Sequence, residues 1–363
     1  MVEYVVLLIL SLLGLTDKNK KAIFSILLCI LMVILATFRA DSVGTDTYQY
    51  SNRVWFAGDI DFSDGIHKHW ELIFNGIYIL LDDLGIKQRW ILGVSSFFTI
   101  LNIFIASKRS SRKIGYSVFL FLVTYYLYSY NAVRQMLSAS FVLLAYTHLN
   151  TTLTGENIAI REKIKSFIKE HFWFFFFITI AALIHFSSIV FVFTILLSRV
   201  RIKKYVWTIL LILSLFIGYL IDFSFLNQML MGFESVEARN DYTGALNLLG
   251  WLSRIIHLIF YLMILSDSDE SDSKLKTFSQ IFFFGIILEN IFLNYNGYIR
   301  ITLGFLMIQL LYLPNAIFSI RSRKQKVYLT FWVTLQSIMF IRDFLSESRH
   351  VLPYEFVNMN LLF

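Results

Sequence analysis

Trp70-Glu71-Leu72-Ile73-Phe74-Asn75-Gly76-Ile77-Tyr78-Ile79-Leu80-Leu81-Asp82-Asp83-Leu84 is the stretch on which the topology of this 363-residue chain turns. Its middle is apolar, yet it opens on a glutamate, closes on two aspartates and falls short of the roughly 20 residues that cross a bilayer core. If it crosses, every later loop changes sides. If it does not, the loops sort cleanly by charge.

The rest of the chain belongs in lipid. It is 57% hydrophobic and 16% charged with 2 prolines, against roughly 45–50% and about 25% in soluble domains. Apolar runs fall at 3–15, 22–38, 91–106, 115–130, 132–149, 171–184, 186–198, 205–220, 249–265, 278–294, 297–318 and 327–343. Hydrocarbon offers backbone groups no partner, so these runs are expected to be helices. The expectation is an all-α, polytopic membrane helical bundle forming a single integral membrane domain over residues 1–363. Such a composition excludes a water-soluble enzyme and a nucleic-acid binder. The first run, Val5 to Leu15, has no basic leader or small-residue cleavage site and reads as a retained helix. Cys29 is the only cysteine, so no disulfide within the chain and no cysteine metal cluster is expected.

With 70–84 held as a re-entrant or interfacial helix, about twelve spans remain. The alternate loops 16–21, 107–114, 150–170, 199–204, 266–277 and 319–326 then carry 21 of the 32 Lys and Arg. The positive-inside rule places them in the cytoplasm. Loops 39–70 and 221–248 and the tail 344–363 are then extracytoplasmic. The inside holds 14 Lys and 7 Arg, whereas the outer loops and helix ends hold 2 Lys and 9 Arg. The outer arginines are Arg39, Arg53, Arg89, Arg134, Arg239, Arg254, Arg300, Arg342 and Arg349. Guanidinium pairs bidentately with phosphate, so the outer face reads as built to hold phosphate, with Arg39, Arg134, Arg239 and Arg300 as diphosphate-binding candidates.

Where the second run leaves the membrane, Phe38-Arg39-Ala40-Asp41-Ser42-Val43-Gly44-Thr45-Asp46-Thr47-Tyr48-Gln49-Tyr50 mixes a cation, carboxylates, hydroxyls and aromatic rings. Asp41, Thr45 and Tyr50 suit sugar hydroxyls and pyranose faces; a polar surface loop that caps a helix is the plainer alternative. Asn131, Arg134, Gln135 and Ser138 share one helical face at three- and four-residue spacing, too polar for lipid. Interhelical hydrogen bonding with a snorkelling Arg134 is the alternative there. Glu71, Asp46 and His185 are candidate bases, in that order, because a sugar hydroxyl can give its proton to a carboxylate or a neutral imidazole. For His185 a helix-end hydrogen bond competes with catalysis. Glu289, Asn294, Asn296, Tyr298 and Arg300 form a polar band near an outer hairpin, and Pro353-Tyr354-Glu355 lies in the tail. Tyr298 and Tyr354 serve either the substrate or the membrane interface. The acidic run Asp267 to Asp272 reads as a solvated loop. Neither a P-loop, a dinucleotide fingerprint nor a zinc-ligand spacing is present, so no cofactor and no metal is expected and the substrate must supply the energy.

In order, Arg39, Val43-Gly44-Thr45-Asp46-Thr47, Tyr50, Glu71, Asn131-x-x-Arg134-Gln135, Ile184-His185-x-Ser187 and a late Pro353-Tyr354 resemble the EpsG family of Wzy-like bacterial polysaccharide polymerases. The resemblance implies an architecture similar to membrane glycosyltransferases of the GT-C type. It implies polymerisation of undecaprenyl-diphosphate-linked oligosaccharide repeats into O-antigen, capsule or exopolysaccharide at the outer face of the inner membrane. A separate chain-length regulator is the implied protein partner, with membrane lipids around the bundle. An O-antigen ligase uses the same donor, and a flippase or other transporter of the lipid-linked repeat is the competitor from another class. A transporter is expected to expose charge along a path to both faces, whereas here it collects on one.

Overall fold

The computed structural model describes residues 2–17, 22–52, 71–149, 167–220, 248–268, 272–292, 302–320, 322–345 and 350–358. Arg239, Tyr298 and Arg300 lie outside the described residues, as does most of the loop 221–248. Among the described residues every regular element is a helix, and the one isolated bridge joins Arg39 to Phe356.

The described chain starts with α1 (Val2–Gly14) and α2 (Ile23–Phe38), which pack on each other. Asp17, just past α1, accepts from the Ser25 backbone N–H and hydroxyl, each at 2.8 Å, and so satisfies donors that α2 leaves open at its start. A short α3 (Thr47–Ser51) and α4 (Leu72–Asp83) precede α5 (Ile91–Ser110). α6 starts as Ile114–Phe121, widens into a π turn at Leu122–Tyr126 and tightens into a 3-10 turn at Tyr128–Tyr130. α7 (Val133–Tyr146) packs between α5 and α8 (Phe172–Ile184). After a 3-10 stretch at Phe186–Phe193 come α9 (Thr194–Arg199), α10 (Lys204–Leu220), α11 (Leu248–Asp267), α12 (Ser273–Ile291), α13 (Gln309–Ser319) and α14 (Ser322–Leu345).

Among the described residues, two helices are long and apolar enough by themselves to cross a bilayer, Gln88–Ser110 with 23 residues and Thr302–Ser319 with 18. Seven further apolar helices, such as Val2–Gly14 and Lys204–Leu220, are shorter, 10–17 residues, so the larger count of crossings rests on the sequence pattern. Their outward faces are nonetheless apolar: Ile26, Ile30 and Ile34 on α2 and Ile209, Leu213 and Phe216 on α10 are all exposed. Contiguous apolar surface of this extent fits lipid rather than water.

Small residues set the helix spacing. A Cβ on Gly115 would lie 2.0 Å from the Gly14 carbonyl oxygen, and one on Gly218 would lie 1.9 Å from that of Asn290. Backbones this close are the means by which helices associate where no hydrophobic drive exists between them.

The 186–198 run, expected as a regular helix, is 3-10 over its first eight residues. Ser188, Phe191 and Thr194 are all buried, and residues three apart eclipse in a 3-10 helix, so the tighter winding keeps them on one inward face. Phe191 meets Phe305 at 4.8 Å between ring centroids, in space that the missing side chain of Gly304 leaves open.

The two ends of the bundle differ in chemistry. At one end Arg112 donates to the Asn315 side chain through its backbone and to the Phe318 carbonyl, and the Lys274 ammonium donates to Ser110 and the Thr147 carbonyl. Lys204 donates to the Ser268 carbonyl, and Lys324 and Tyr328 both bond Asp267. The other end carries loop 39–52. Glu71, which precedes the first residue of α4, bonds Arg134 at this end, and Arg89, six residues beyond the helix, bonds into the loop. Twelve residues of helix span only about 18 Å, against a core of about 30 Å.

Candidate active site

The loop after α2 is shaped by backbone demands before any ligand is considered. Gly44 has φ +91°, and a Cβ there would sit 2.9 Å from Thr47 Oγ1, 3.0 Å from Asn131 Oδ1 and 3.1 Å from Tyr130 Cβ. A side chain is excluded twice over, by conformation and by space. Thr47 Oγ1 donates to the Val43 carbonyl at 2.6 Å, and Asn131 Oδ1 accepts from the Thr45 N–H at 2.9 Å. Loop and α7 approach are thereby tied together.

Arg39 lies beneath this turn, 1% exposed. Its Nε donates to Thr47 Oγ1 at 2.9 Å, its two terminal nitrogens donate to the Ala36 and Tyr130 carbonyls, and its guanidinium stacks 4.3 Å from the Tyr130 ring centroid. The side chain expected to clamp a diphosphate is turned inward and holds the loop instead. Arg89 does the same from the other side, donating to the Arg39 carbonyl and to Asp41 Oδ1. Asp41 Oδ1 also accepts from Ser51 Oγ at 2.8 Å, so one oxygen of this carboxylate is engaged within the protein while the side chain stays about a third exposed.

A strap from the end of the chain closes the loop from above. His350 accepts from the Gly44 N–H at 2.7 Å and Glu355 from that of Ala40 at 2.8 Å, both through their carbonyls. Ser42 donates to the Glu355 carboxylate at 3.0 Å, and the Val357 N–H donates to the Phe38 carbonyl at 2.8 Å. Tyr354, expected at the substrate or the interface, is buried and gives its hydroxyl proton to the Leu35 carbonyl at 2.7 Å.

Against this frame stands a three-residue cluster drawn from three helices. Glu71 at the N-terminus of α4 accepts from Arg134 in the first turn of α7 through one oxygen, and its other oxygen meets His185 Nδ1 at 2.6 Å, where α8 ends. The three side chains are 17%, 22% and 20% exposed, which is partly buried yet open to a ligand. Burial by itself pushes the Glu71 carboxyl up; the His185 hydrogen bond and the Arg134 charge outweigh it and hold the group below the usual carboxylate range. Tyr50 and Asp46 complete the cluster. The Tyr50 hydroxyl lies against Arg134, and Asp46 stands one turn before Tyr50 at the start of α3, its carbonyl accepting from the Tyr50 N–H at 3.1 Å. Asp46 also accepts from the Thr45 hydroxyl at 3.0 Å, and the Tyr128 hydroxyl reaches the Gln135 side chain at 3.4 Å.

The cluster rests on an apolar floor made by Tyr50, Phe74, Tyr78, Ile91, Leu92, Val133, Leu137 and Ile184. Ser138 fixes the height of His185: its hydroxyl donates to the Ala181 carbonyl at 2.7 Å and lies 2.6 Å from the Ser188 hydroxyl, one turn before and one turn after the histidine. His185 itself has extended backbone, φ −149° and ψ 109°, which swings its ring out of the helix line.

The structure thus brings together Asp46, Tyr50, Glu71, Arg134 and His185, places Thr45, Asn131 and Gln135 at their edge, and uses Arg39, Asp41 and Tyr354 as framework. The loop-binding roles of Arg89, His350 and Glu355 carried no chemical signature in the sequence beyond Arg89 being one more outer arginine. A surface cavity of about 450 Å³ opens near the far end of α4, walled by Ser51, Asn52, Asp82 and residues 85–88.

Chemically, the cluster offers an imidazole whose Nδ1 is held against a carboxylate, with a guanidinium alongside. A carboxylate that fixes the proton on Nδ1 leaves Nε2 free to accept one.

No curated protein and no solved structure matches this chain. A family model does, over residues 22–160 and 162–356, which take in the loop from Arg39, the Glu71–Arg134–His185 cluster and the closing strap. The chain is a member of the EpsG family, helical membrane proteins of polysaccharide biosynthesis.

Proposed function

We propose that this protein polymerises undecaprenyl-diphosphate-linked oligosaccharide repeats into O-antigen, capsule or exopolysaccharide. It does so as a multi-pass glycosyltransferase of the bacterial inner membrane, with loop 39–52 on the extracytoplasmic side. Family membership supports the polysaccharide context. The observation that carries the chemistry is Glu71 held between Arg134 and His185.

The acceptor hydroxyl of one repeat attacks the anomeric carbon of the other. The new C–O bond forms as the bond to the diphosphate breaks, and the electron pair leaves with undecaprenyl diphosphate. His185 Nε2 takes the hydroxyl proton, with its Nδ1–H directed at Glu71. Glu71 therefore acts through His185 rather than as the base itself, and Asp46 is the second candidate for the proton. Arg134 lies beside the reacting centre, where a guanidinium stabilises the charge that grows on the departing diphosphate. Arg300 and Arg239 are proposed as further diphosphate ligands. Thr45, Asn131, Gln135 and Tyr298 are proposed to bind sugar hydroxyls, Asn131 after giving up part of its hold on the loop. The GT-C likeness and the about twelve spans are part of the same reading.

The test is deletion in the native host, complemented with wild type or His185→Ala. Surface glycan reduced to a single repeat unit in the deletion and in the variant supports polymerisation. Complete loss of attached sugar indicates a ligase, and lipid-linked repeats accumulating in the cytoplasmic leaflet indicate transport; either outcome overturns the proposal.

A further inference from the structure

Helices α11 to α14 and the π turn of α6 enclose a second polar cavity that the chemistry at Glu71 does not use. Its volume is about 360 Å³, and Arg254, His257, Glu289, Gln309, Gln336 and Arg342 stand on its wall. Space of that size takes a diphosphate with its first sugar.

The cavity lies toward the loop end of the bundle. Arg254 is 13 residues before Asp267, the residue that meets Lys324 at the basic end, and Arg342 is 18 residues beyond Lys324 on α14. At 1.5 Å per residue these arginines stand roughly 20 and 27 Å from the basic end. Gln309, Gln336 and His257 lie deeper, at a level where hydrocarbon surrounds the bundle and polar side chains need partners.

Two independent observations indicate a ligand here. First, Arg254 is only loosely paired inside the protein: 3.5 Å to Glu289 and 3.4 Å to Asn290 Oδ1, at the outer limit for a hydrogen bond. Arg342, which bonds its neighbour Asp343, is half exposed. Second, the wall includes Thr124 and Tyr125 from the π turn, and such turns concentrate at functional sites because they widen the helix to present side chains. Five residues past Tyr125, the same segment supplies Tyr130 to the Arg39 loop, so one distorted stretch of α6 borders both sites.

The chemistry of the cavity suits binding without bond breakage. His257 Nδ1 donates to the Ser253 carbonyl at 2.7 Å, and its Nε2 accepts from Gln336 at 3.0 Å, so neither nitrogen is free to take a proton. A polymerase joins two lipid-linked saccharides, and only one of them loses its diphosphate.

We propose that this cavity binds the diphosphate–sugar headgroup of the lipid-linked acceptor, the partner whose diphosphate survives the reaction. The acceptor role rests on the polymerase reading; the binding of an anionic, hydroxyl-bearing headgroup does not.

The experiment counts bound undecaprenyl diphosphate by native mass spectrometry on the full chain carrying His185→Ala, which cannot turn over. Two equivalents are expected, and adding Arg254→Gln is expected to weaken one of them about tenfold, the loss of one charge-assisted contact. Arg254→Lys and Gln336→Leu, each checked by thermal melting, are second variants: lysine should restore part of the affinity and Gln336→Leu should lower it. A single equivalent in the parent, or two that all three variants leave unchanged, overturns the inference. Inorganic pyrophosphate displacing that equivalent as well as the lipid does would identify a free-phosphate site and also overturn it. Two bound lipids in a strain whose deletion phenotype is that of a ligase would leave the site standing and remove its acceptor role.

Discussion

Glu71→Gln is the sharpest perturbation, because it changes one atom and a charge while keeping the shape of the cluster. Glu71 accepts on both oxygens, from Arg134 and from His185 Nδ1. A glutamine has one acceptor and one donor. Arg134 has only donors to offer, so the amide oxygen must turn toward it and the amide NH₂ toward His185. The imidazole then carries its proton on Nε2 and presents nothing to the acceptor hydroxyl. In hydrolase triads the equivalent change of carboxylate to amide costs about 10⁴ in kcat through the wrong tautomer, and we expect a loss of about 10³- to 10⁴-fold here. Stability should fall much less, by about 1–1.5 kcal/mol, the difference between a hydrogen bond to a charged group and a neutral one. The assay is polymerisation of lipid-linked repeats by purified protein in lipid, read as a ladder on a gel, with melting temperature measured in parallel. A Glu71→Gln protein that melts normally and polymerises within threefold of wild type would refute both the tautomer argument and the role given to His185.

Four further outcomes are expected. Gly44→Ala, which forces a Cβ into a φ +91° turn against Thr47, Asn131 and Tyr130, should destabilise the loop by about 1–3 kcal/mol and abolish activity with normal membrane levels; activity near wild type would show that the turn can be rebuilt. A double-mutant cycle with Arg89→Met and Asp41→Asn should give a coupling of about 1–2 kcal/mol in thermal or denaturant unfolding, since Arg89 is buried at 5% exposure while Asp41, at 32%, keeps contact with water. Additive effects would mean that the pair is not formed. Because Glu71 is held below its ordinary value of about 4.3, the stability it contributes is complete above that pH and is lost as pH falls through the lower folded value. Melting temperatures from pH 6 to 3 should therefore fall less steeply in Glu71→Gln than in wild type, and parallel slopes would remove the pairing. Gly115→Leu should prevent accumulation of folded protein, given the Gly14 carbonyl in its path, whereas Gly76→Leu, where the added Cβ meets nothing, should not.

Much of the site could be read from residue types because chemistry clusters even when the fold is unknown. Glu71, Arg134 and His185 were each too polar for their apolar surroundings, and the structure shows them answering one another across 63 and 114 residues of sequence. What the sequence hid is who pairs with whom. Arg39 and Arg134 look alike as outer arginines at helix ends, yet one is sealed under a loop and the other faces a carboxylate. The loop over Arg39 is held in part by residues 350–358, whose backbone bonds reach back some three hundred positions to Phe38, Ala40 and Gly44. Helix distortions were equally silent. The π turn Leu122–Tyr126 contains neither Pro nor Gly to announce it, and only the inward alignment of Ser188, Phe191 and Thr194 explains the 3-10 winding after His185.

The strap at 350–358 also bears on when the protein becomes competent. During synthesis the loop around Gly44 emerges early, but the carbonyls of His350 and Glu355 that hold it arrive some three hundred residues later. At about 5–20 residues per second, the ribosome needs a quarter of a minute or more to deliver them. Nascent chains consequently hold an unlatched loop until residues 350–358 have been made, and on the polymerase reading proposed above the site is complete only then.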